Sequence, residues 1–153
     1  MIEVGQAAVD FTLPRDGGDE VTLSELKGKP VVVYFYPKAD TPGCTKQAVG
    51  FTELGAEFEA AGAVVLGISK DPVKKLDKFR EKHELGVALL SDEDSDVCER
   101  YGVWKEKSMY GKTYMGIERS TFLIDADGKI AQAWLKVKVP GHVEVVLDAV
   151  KAL

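Results

Sequence analysis

The sequence predicts an α/β fold in which helices flank a central mixed β-sheet, behind an N-terminal β-hairpin. Three observations point there. Val31-Val32-Val33-Tyr34-Phe35-Tyr36 is a continuous β-branched and aromatic run, the composition of a strand buried on both faces. Beyond it, helical and strand patterns alternate to about residue 90, which calls for crossover connections and parallel pairing. Near the C-terminus two apolar runs flank Asp127-Gly128, a hairpin turn signal, so part of the sheet is antiparallel.

In chain order, Phe11–Leu13 and Val21–Leu23 read as short strands joined by the turn-rich Arg15-Asp16-Gly17-Gly18-Asp19. Pro37 ends the Val31–Tyr36 strand. From Gly43 to about Ala61 the residues Ala48, Phe51, Leu54, Phe58 and Ala61 recur at helical steps, so one long helix is expected. Ala63–Ile68 is a second buried strand, and Pro72 opens a helix to about His83 whose lysine-rich face is exposed, with Leu76 and Phe79 turned inward. Val87–Leu90 is a short strand, followed by the acidic run Ser91–Asp96 and a short helix near Val97–Tyr101. Trp104–Met115, with Gly111, two tyrosines and three lysines, reads as a mobile loop. Ser120–Asp125 and Ile130–Leu135 form the hairpin, and a helix over about Gly141–Ala152 closes the chain. No linker, repeat or low-complexity tract interrupts it, so residues 1–153 are expected to form one domain.

Composition narrows the function. With 153 residues, 45% of them hydrophobic, the chain is long enough to bury a core without disulfides or metals. Twenty Lys and Arg against 25 Asp and Glu give a net charge of −5, which argues against nucleic-acid and membrane-surface partners. No basic start followed by an apolar run marks a signal peptide, and a cytoplasmic protein is expected, with an organellar mature form as the alternative. Two cysteines, Cys44 and Cys98, are too few for a disulfide scaffold. Neither they nor His83 and His142 have metal-ligand spacing, so no metal and no cofactor is expected, and both histidines are expected at the surface. Ser91–Asp96 lacks the Gly and terminal Glu of a calcium loop.

What remains is thiol chemistry. Cys44 follows a buried strand and a proline-bounded loop and falls in the first turn of a helix. Unpaired backbone N–H groups and the positive helix end favour an anion there, and the carboxyl edge of an open α/β sheet is where ligands bind. Taken alone, the residues leave plainer readings open. Cys44 is also compatible with a small buried hydrophobe, Thr41 with a turn or N-cap, Arg119 with a strand-end charge and Pro37 with strand punctuation.

The segment Pro37-Lys38-Ala39-Asp40-Thr41-Pro42-Gly43-Cys44-Thr45 resembles the P-x-x-x-[TS]-x-x-C signature of peroxiredoxins, and Thr41–Thr45 that of the bacterioferritin-comigratory-protein/PrxQ subfamily. Gly5–Leu13, Gly67–Asp71, Tyr101–Trp104 and Arg119–Asp125 resemble the subfamily in the same order, over nearly the whole chain. The resemblance implies a thioredoxin-like fold and an antioxidant peroxidase that reduces hydrogen peroxide and organic hydroperoxides with electrons from thioredoxin, glutaredoxin or a small thiol. It implies Cys44 as the attacking thiolate, Thr41 as a hydroxyl beside sulfur and peroxide, Arg119 as the cation that stabilises thiolate and transition state, and Pro37 as a shield. Gly43 supplies a backbone N–H. Monomers or weak homodimers are expected.

The chain departs from the pattern at three points. The position five residues after the nucleophile, often a resolving cysteine, is Val49; the helix after the second strand has no cysteine; and Gln47 stands where many relatives carry Glu. Cys98 is left as the one intramolecular candidate resolver, against a plainer reading as a packed apolar residue. A 1-Cys cycle with an external thiol is therefore expected, with a 2-Cys cycle through Cys98 as the alternative. Two rival functions stay open. A thiol–disulfide oxidoreductase is weakened by Thr41 in place of a first cysteine. A redox sensor without efficient turnover draws support from Gln47 and the missing resolver.

Overall fold

The computed structural model describes residues 2–153. Strands β1 (Thr12–Pro14) and β2 (Glu20–Thr22) form the N-terminal antiparallel hairpin, and Leu23 passes into a 3₁₀ turn, Leu23–Leu26, instead of extending the strand. The main sheet has five strands, β3 (Val31–Phe35), β4 (Val64–Ser69), β5 (Ala88–Ser91), β8 (Ser120–Ile124) and β9 (Ile130–Trp134). Their order is β5-β4-β3-β8-β9, with β3, β4 and β5 parallel and β8 and β9 antiparallel to their neighbours. Mixed pairing and helix-covered faces are thus as expected.

Every residue of β3 is buried, and its alternation divides the core. Val31, Val33 and Phe35 join Phe11, Leu13, Cys98, Tyr101 and Phe122 on one face. Val32, Tyr34 and Tyr36 join Cys44, Phe51, Phe79, Leu123 and Val143 on the other.

Two expectations need correction. The helix expected over Gly43–Ala61 is two helices, α1 (Pro42–Glu53) and α2 (Gly55–Ala60), broken at Leu54, whose ψ of 9° leaves the helical region. Phe51 and Phe58 enter the same apolar cluster from the two helices, so the apolar period runs through the break. The stretch expected to be a mobile loop is an antiparallel hairpin, β6 (Trp104–Met109) with β7 (Lys112–Ile117). Lysines, Glu106 and Ser108 occupy both faces, leaving no apolar alternation to read, while Tyr110 and Gly111 turn the chain at φ 53° and 76°.

The remaining helices are α3 (Val73–His83), α4 (Val97–Arg100) and α5 (His142–Lys151). As expected, α3 buries Leu76 and Phe79. Among the described residues, no helix is long and apolar enough to cross a membrane.

Asp16, buried in the β1–β2 loop, ties that hairpin to the main body. Its Oδ1 accepts from the Leu89 N–H at 2.9 Å, and Arg80 donates to Oδ2. Burial opposes its charge, but the Leu89 hydrogen bond and the Arg80 guanidinium outweigh it, and the carboxyl titrates below its ordinary 3.8. A depressed folded-state pKa contributes stability above the unfolded value and loses it as pH falls through the folded one. Urea midpoints are therefore expected to fall as pH drops below about 4, and Asp16→Asn should flatten that fall. An equally steep fall in the variant would remove Asp16 from the account.

Candidate active site

The site is built where β3 runs into α1. Half-buried Pro37 follows the strand, and the loop Lys38–Thr41 is fastened on two sides. The Ala39 N–H donates to Asp71 Oδ2 at 2.7 Å, and Asp40 accepts from Lys82 Nζ at 2.9 Å and pairs with His83 Nε2 at 2.8 Å. The His83 and Lys82 hydrogen bonds hold the Asp40 carboxyl below its ordinary pKa. Asp40 takes a φ of 63°, a left-handed backbone that these contacts secure. His83, expected as a plain surface residue, is thus a half-buried strap for the loop.

Thr41 is the N-cap of α1 by backbone, yet its hydroxyl makes no capping bond and donates instead to the Lys38 carbonyl at 2.8 Å. Its proton thus engaged, the oxygen keeps lone pairs to accept from a bound ligand. Pro42 takes the first helical position, where its missing N–H costs nothing. The N–H groups of Gly43 and Cys44 lie in the first turn, without intrahelical acceptors.

Cys44 is 1% exposed. Arg119, between β7 and β8, reaches it: Nη2 donates to Sγ at 3.3 Å, and Nη1 donates to Gln47 Oε1 at 2.6 Å. Gly43 makes this approach possible, since a Cβ there would stand 3.2 Å from Nη2. Gln47 is fully buried one turn beyond Cys44, and its Nε2 has no partner among the described residues. The guanidinium thus bridges sulfur and amide with its two terminal nitrogens. A cation thus lies against the sulfur, and the sulfur belongs to the first turn of a helix.

Cys98 is not brought to this site. It is fully buried in the cluster on the opposite face of the sheet, its N–H bound to Asp92 Oδ2 at 2.8 Å. Burial and the Asp92 carboxylate push its thiol pKa far up, so it stays protonated.

His142, expected at the surface, is buried: its Nε2 is 2.8 Å from Thr121 Oγ1, and its ring meets Trp134 edge-on. Burial and the nearby Arg119 charge lower its pKa, favouring the neutral ring. Lys107 on β6 is half-buried: burial and the Arg119 charge lower its pKa, against the opposing pull of Cys44 and Glu118. Neither residue was marked by the sequence; His142 sits in a pattern read only as a helix start, and Lys107 in one read as a loop.

A cavity of about 310 Å³ near Leu23, Lys27, Val31 and Ile124 lies at the opposite end of β3 and takes no part in the site. Among the described residues, no group of three or more His, Cys, Asp or Glu is placed to hold a metal ion.

Residues 4–133 match the AhpC/TSA family. The chain is 57% identical over 146 residues to a putative peroxiredoxin bcp of Coxiella burnetii, covering 95% of this chain and 97% of that one. It is 51% identical over 150 residues to peroxiredoxin Bcp of Escherichia coli K12, covering 98% and 96%. Xanthomonas campestris peroxiredoxin Q superposes with a TM-score of 0.90 at 47% identity, over 99% of this chain and 96% of that one. The same organism's bacterioferritin comigratory protein, in a structure concerned with its alkyl peroxide reduction activity, superposes equally well, at a TM-score of 0.90 and 47% identity over 99% and 97%.

Gln47→Leu removes the acceptor that holds Arg119 and leaves Nη1 of the half-buried guanidinium without its partner. The rate of Cys44 oxidation by hydrogen peroxide, followed by stopped-flow, is expected to fall roughly ten-fold or more. An unchanged rate would show that Arg119 is held by other contacts.

Proposed function

This chain belongs to the AhpC/TSA peroxiredoxins, in the Bcp/PrxQ subfamily, and on that footing we propose that it reduces hydrogen peroxide and organic hydroperoxides by a 1-Cys cycle at Cys44. The fold is thioredoxin-like and the protein is a peroxidase. Residues 1–153 act as one peroxiredoxin domain, a monomer or weak homodimer of the cytoplasm.

The observation that carries the reading is the Arg119 guanidinium, held by Gln47 and donating to Cys44 Sγ. In the reaction the thiolate attacks the near peroxide oxygen, an S–O bond forms and the O–O bond breaks. The electron pair leaves on the far oxygen, which takes up the peroxide's own proton and departs as water or alcohol. The sulfenate left on Cys44 takes a proton from solvent to become sulfenic acid. Arg119 and the N–H groups of Gly43 and Cys44 are placed to stabilise charge on the oxygens, and the Thr41 oxygen to accept from the peroxide O–H. Pro37, half-buried at the loop entrance, limits water at the sulfur.

The 1-Cys cycle is supported by where the other cysteine lies. Joining Cys44 to Cys98 requires Cα atoms within about 7 Å, and the sheet stands between their clusters. Val49 and the cysteine-free α3 leave no other internal resolver. The electrons then come from an external thiol, thioredoxin, glutaredoxin or a small molecule.

Mass spectrometry after one equivalent of hydrogen peroxide and trapping with dimedone tests this. The expected product carries dimedone on Cys44 and a free Cys98. A Cys44–Cys98 disulfide formed at stoichiometric peroxide would reinstate the 2-Cys cycle. A persistent sulfenic acid with no turnover under excess dithiothreitol would favour the sensor.

A further inference from the structure

We propose that Asp71 is a positioning residue for the reaction at Cys44, fixing the Thr41 hydroxyl as a hydrogen-bond acceptor through the Lys38–Ala39 peptide, an inference that rests on the role given to Thr41 above. That peptide is engaged on both sides. Its carbonyl, on Lys38, accepts from the Thr41 hydroxyl at 2.8 Å, and its N–H, on Ala39, donates to Asp71 Oδ2 at 2.7 Å. No cis peptide bond occurs among the described residues, so the carbonyl and the N–H point in opposite directions from one plane. Turning that plane over would aim the carbonyl at the carboxylate. A carboxylate only accepts, so Asp71 permits the one orientation in which the Lys38 carbonyl faces Thr41.

Asp71 is itself held from behind by the ends of two core strands. Ser69, the last residue of β4, donates through Oγ to Asp71 Oδ2 at 2.9 Å, and that Oγ lies 3.3 Å from the Asp71 nitrogen, whose N–H it accepts. Ser91, paired with Ser69 at the end of β5, donates through Oγ to the Asp71 carbonyl at 2.6 Å. Asp71 and both serines are buried. Among the described residues no Lys, Arg or His forms an ion pair with Asp71. The Ala39 N–H and the Ser69 hydroxyl are therefore what satisfies a carboxylate taken out of water.

The orientation matters because a hydroxyl can serve either way, as donor or as acceptor. With its proton committed to Lys38, Thr41 offers lone pairs to an incoming O–H. A hydroperoxide carries that proton on the oxygen which the thiolate attacks, so an acceptor at Thr41 aligns the O–O bond with the sulfur. A freed Thr41 proton would instead turn to the sulfur or to the peroxide and align neither. The hydrogen bond to a carboxylate also polarises the shared peptide and makes its carbonyl a better acceptor. Removal of Asp71 therefore loosens the hold on the Thr41 proton even where the peptide plane stays in place. Thr41 touches the peroxide, and Asp71 acts through Thr41.

A double-mutant cycle tests this, with the second-order rate of Cys44 oxidation by hydrogen peroxide as its readout. Thr41→Val is expected to slow oxidation roughly ten-fold and Asp71→Ala about five-fold. In the Thr41→Val background Asp71→Ala should cost less than about 1.5-fold more, because the hydroxyl it positions is gone. A merely structural contribution from Asp71 would multiply with that of Thr41. Asp71→Asn keeps an oxygen for the Ala39 N–H without the charge. It should slow the reaction about three-fold, a loss that also vanishes beside Thr41→Val, and it carries the test where Asp71→Ala does not fold. Multiplying losses in either cycle, or a wild-type rate in either Asp71 variant, would overturn the inference about Asp71 alone. A wild-type rate in Thr41→Val would overturn the role given to Thr41 and this inference with it. A wild-type protein whose Cys44 is not oxidised by peroxide would overturn the proposed cycle itself.

Discussion

The Arg119 guanidinium is the contact on which the site depends. It joins a residue before β8 to the sulfur and amide of α1, 75 and 72 positions earlier in the chain. Several otherwise separate features serve that one contact. The antiparallel pairing of β8 with β3 sets Ser120 against Phe35, which brings Arg119 to the end of β3 where α1 begins. Gly43 removes the Cβ that would meet the guanidinium. Gln47, one turn beyond Cys44, takes the other terminal nitrogen. The planar fork reaches the two acceptors from separate nitrogens held at a fixed spacing, whereas an ammonium offers its three donors from a single nitrogen.

The sheet decides what the second thiol does. Side chains of successive β3 residues enter opposite cores, and the two cysteines fall on opposite sides of that division. On one side the sulfur meets a cation and a helix N-terminus. On the other, burial and the Asp92 carboxylate hold the thiol protonated. The same residue type thereby meets a cation at one place and is a packed, protonated group at the other, the division on which the proposed 1-Cys cycle rests.

Much of this was legible in the sequence, and what was not has identifiable causes. Continuous apolar β3, the Asp127-Gly128 turn and the apolar stripe of α3 each carry a local signal, and the structure follows them. The Cys44 loop was legible through its resemblance to the peroxiredoxin signature, since the residues taken alone left plainer readings of Pro37, Thr41 and Cys44 open. The break at Leu54 was hidden because both helices present the same apolar period to one cluster. The β6–β7 hairpin was hidden because both its faces are largely polar, and with it went any reason to single out Lys107. His142 was taken for a surface residue because its partners, Thr121 and Trp134, come from strands distant in sequence. Contacts across the fold leave no spacing to read.

The most direct measurement is the second-order rate of Cys44 oxidation by hydrogen peroxide in Arg119→Lys, whose lysine keeps the charge and loses the fork. If the two-pronged contact is what makes the sulfur reactive, the rate falls by about 10²–10³ relative to wild type while the folded state is retained. A rate within a factor of about three, less than a single neutral hydrogen bond is ordinarily worth, would show that charge alone suffices and would contradict the account.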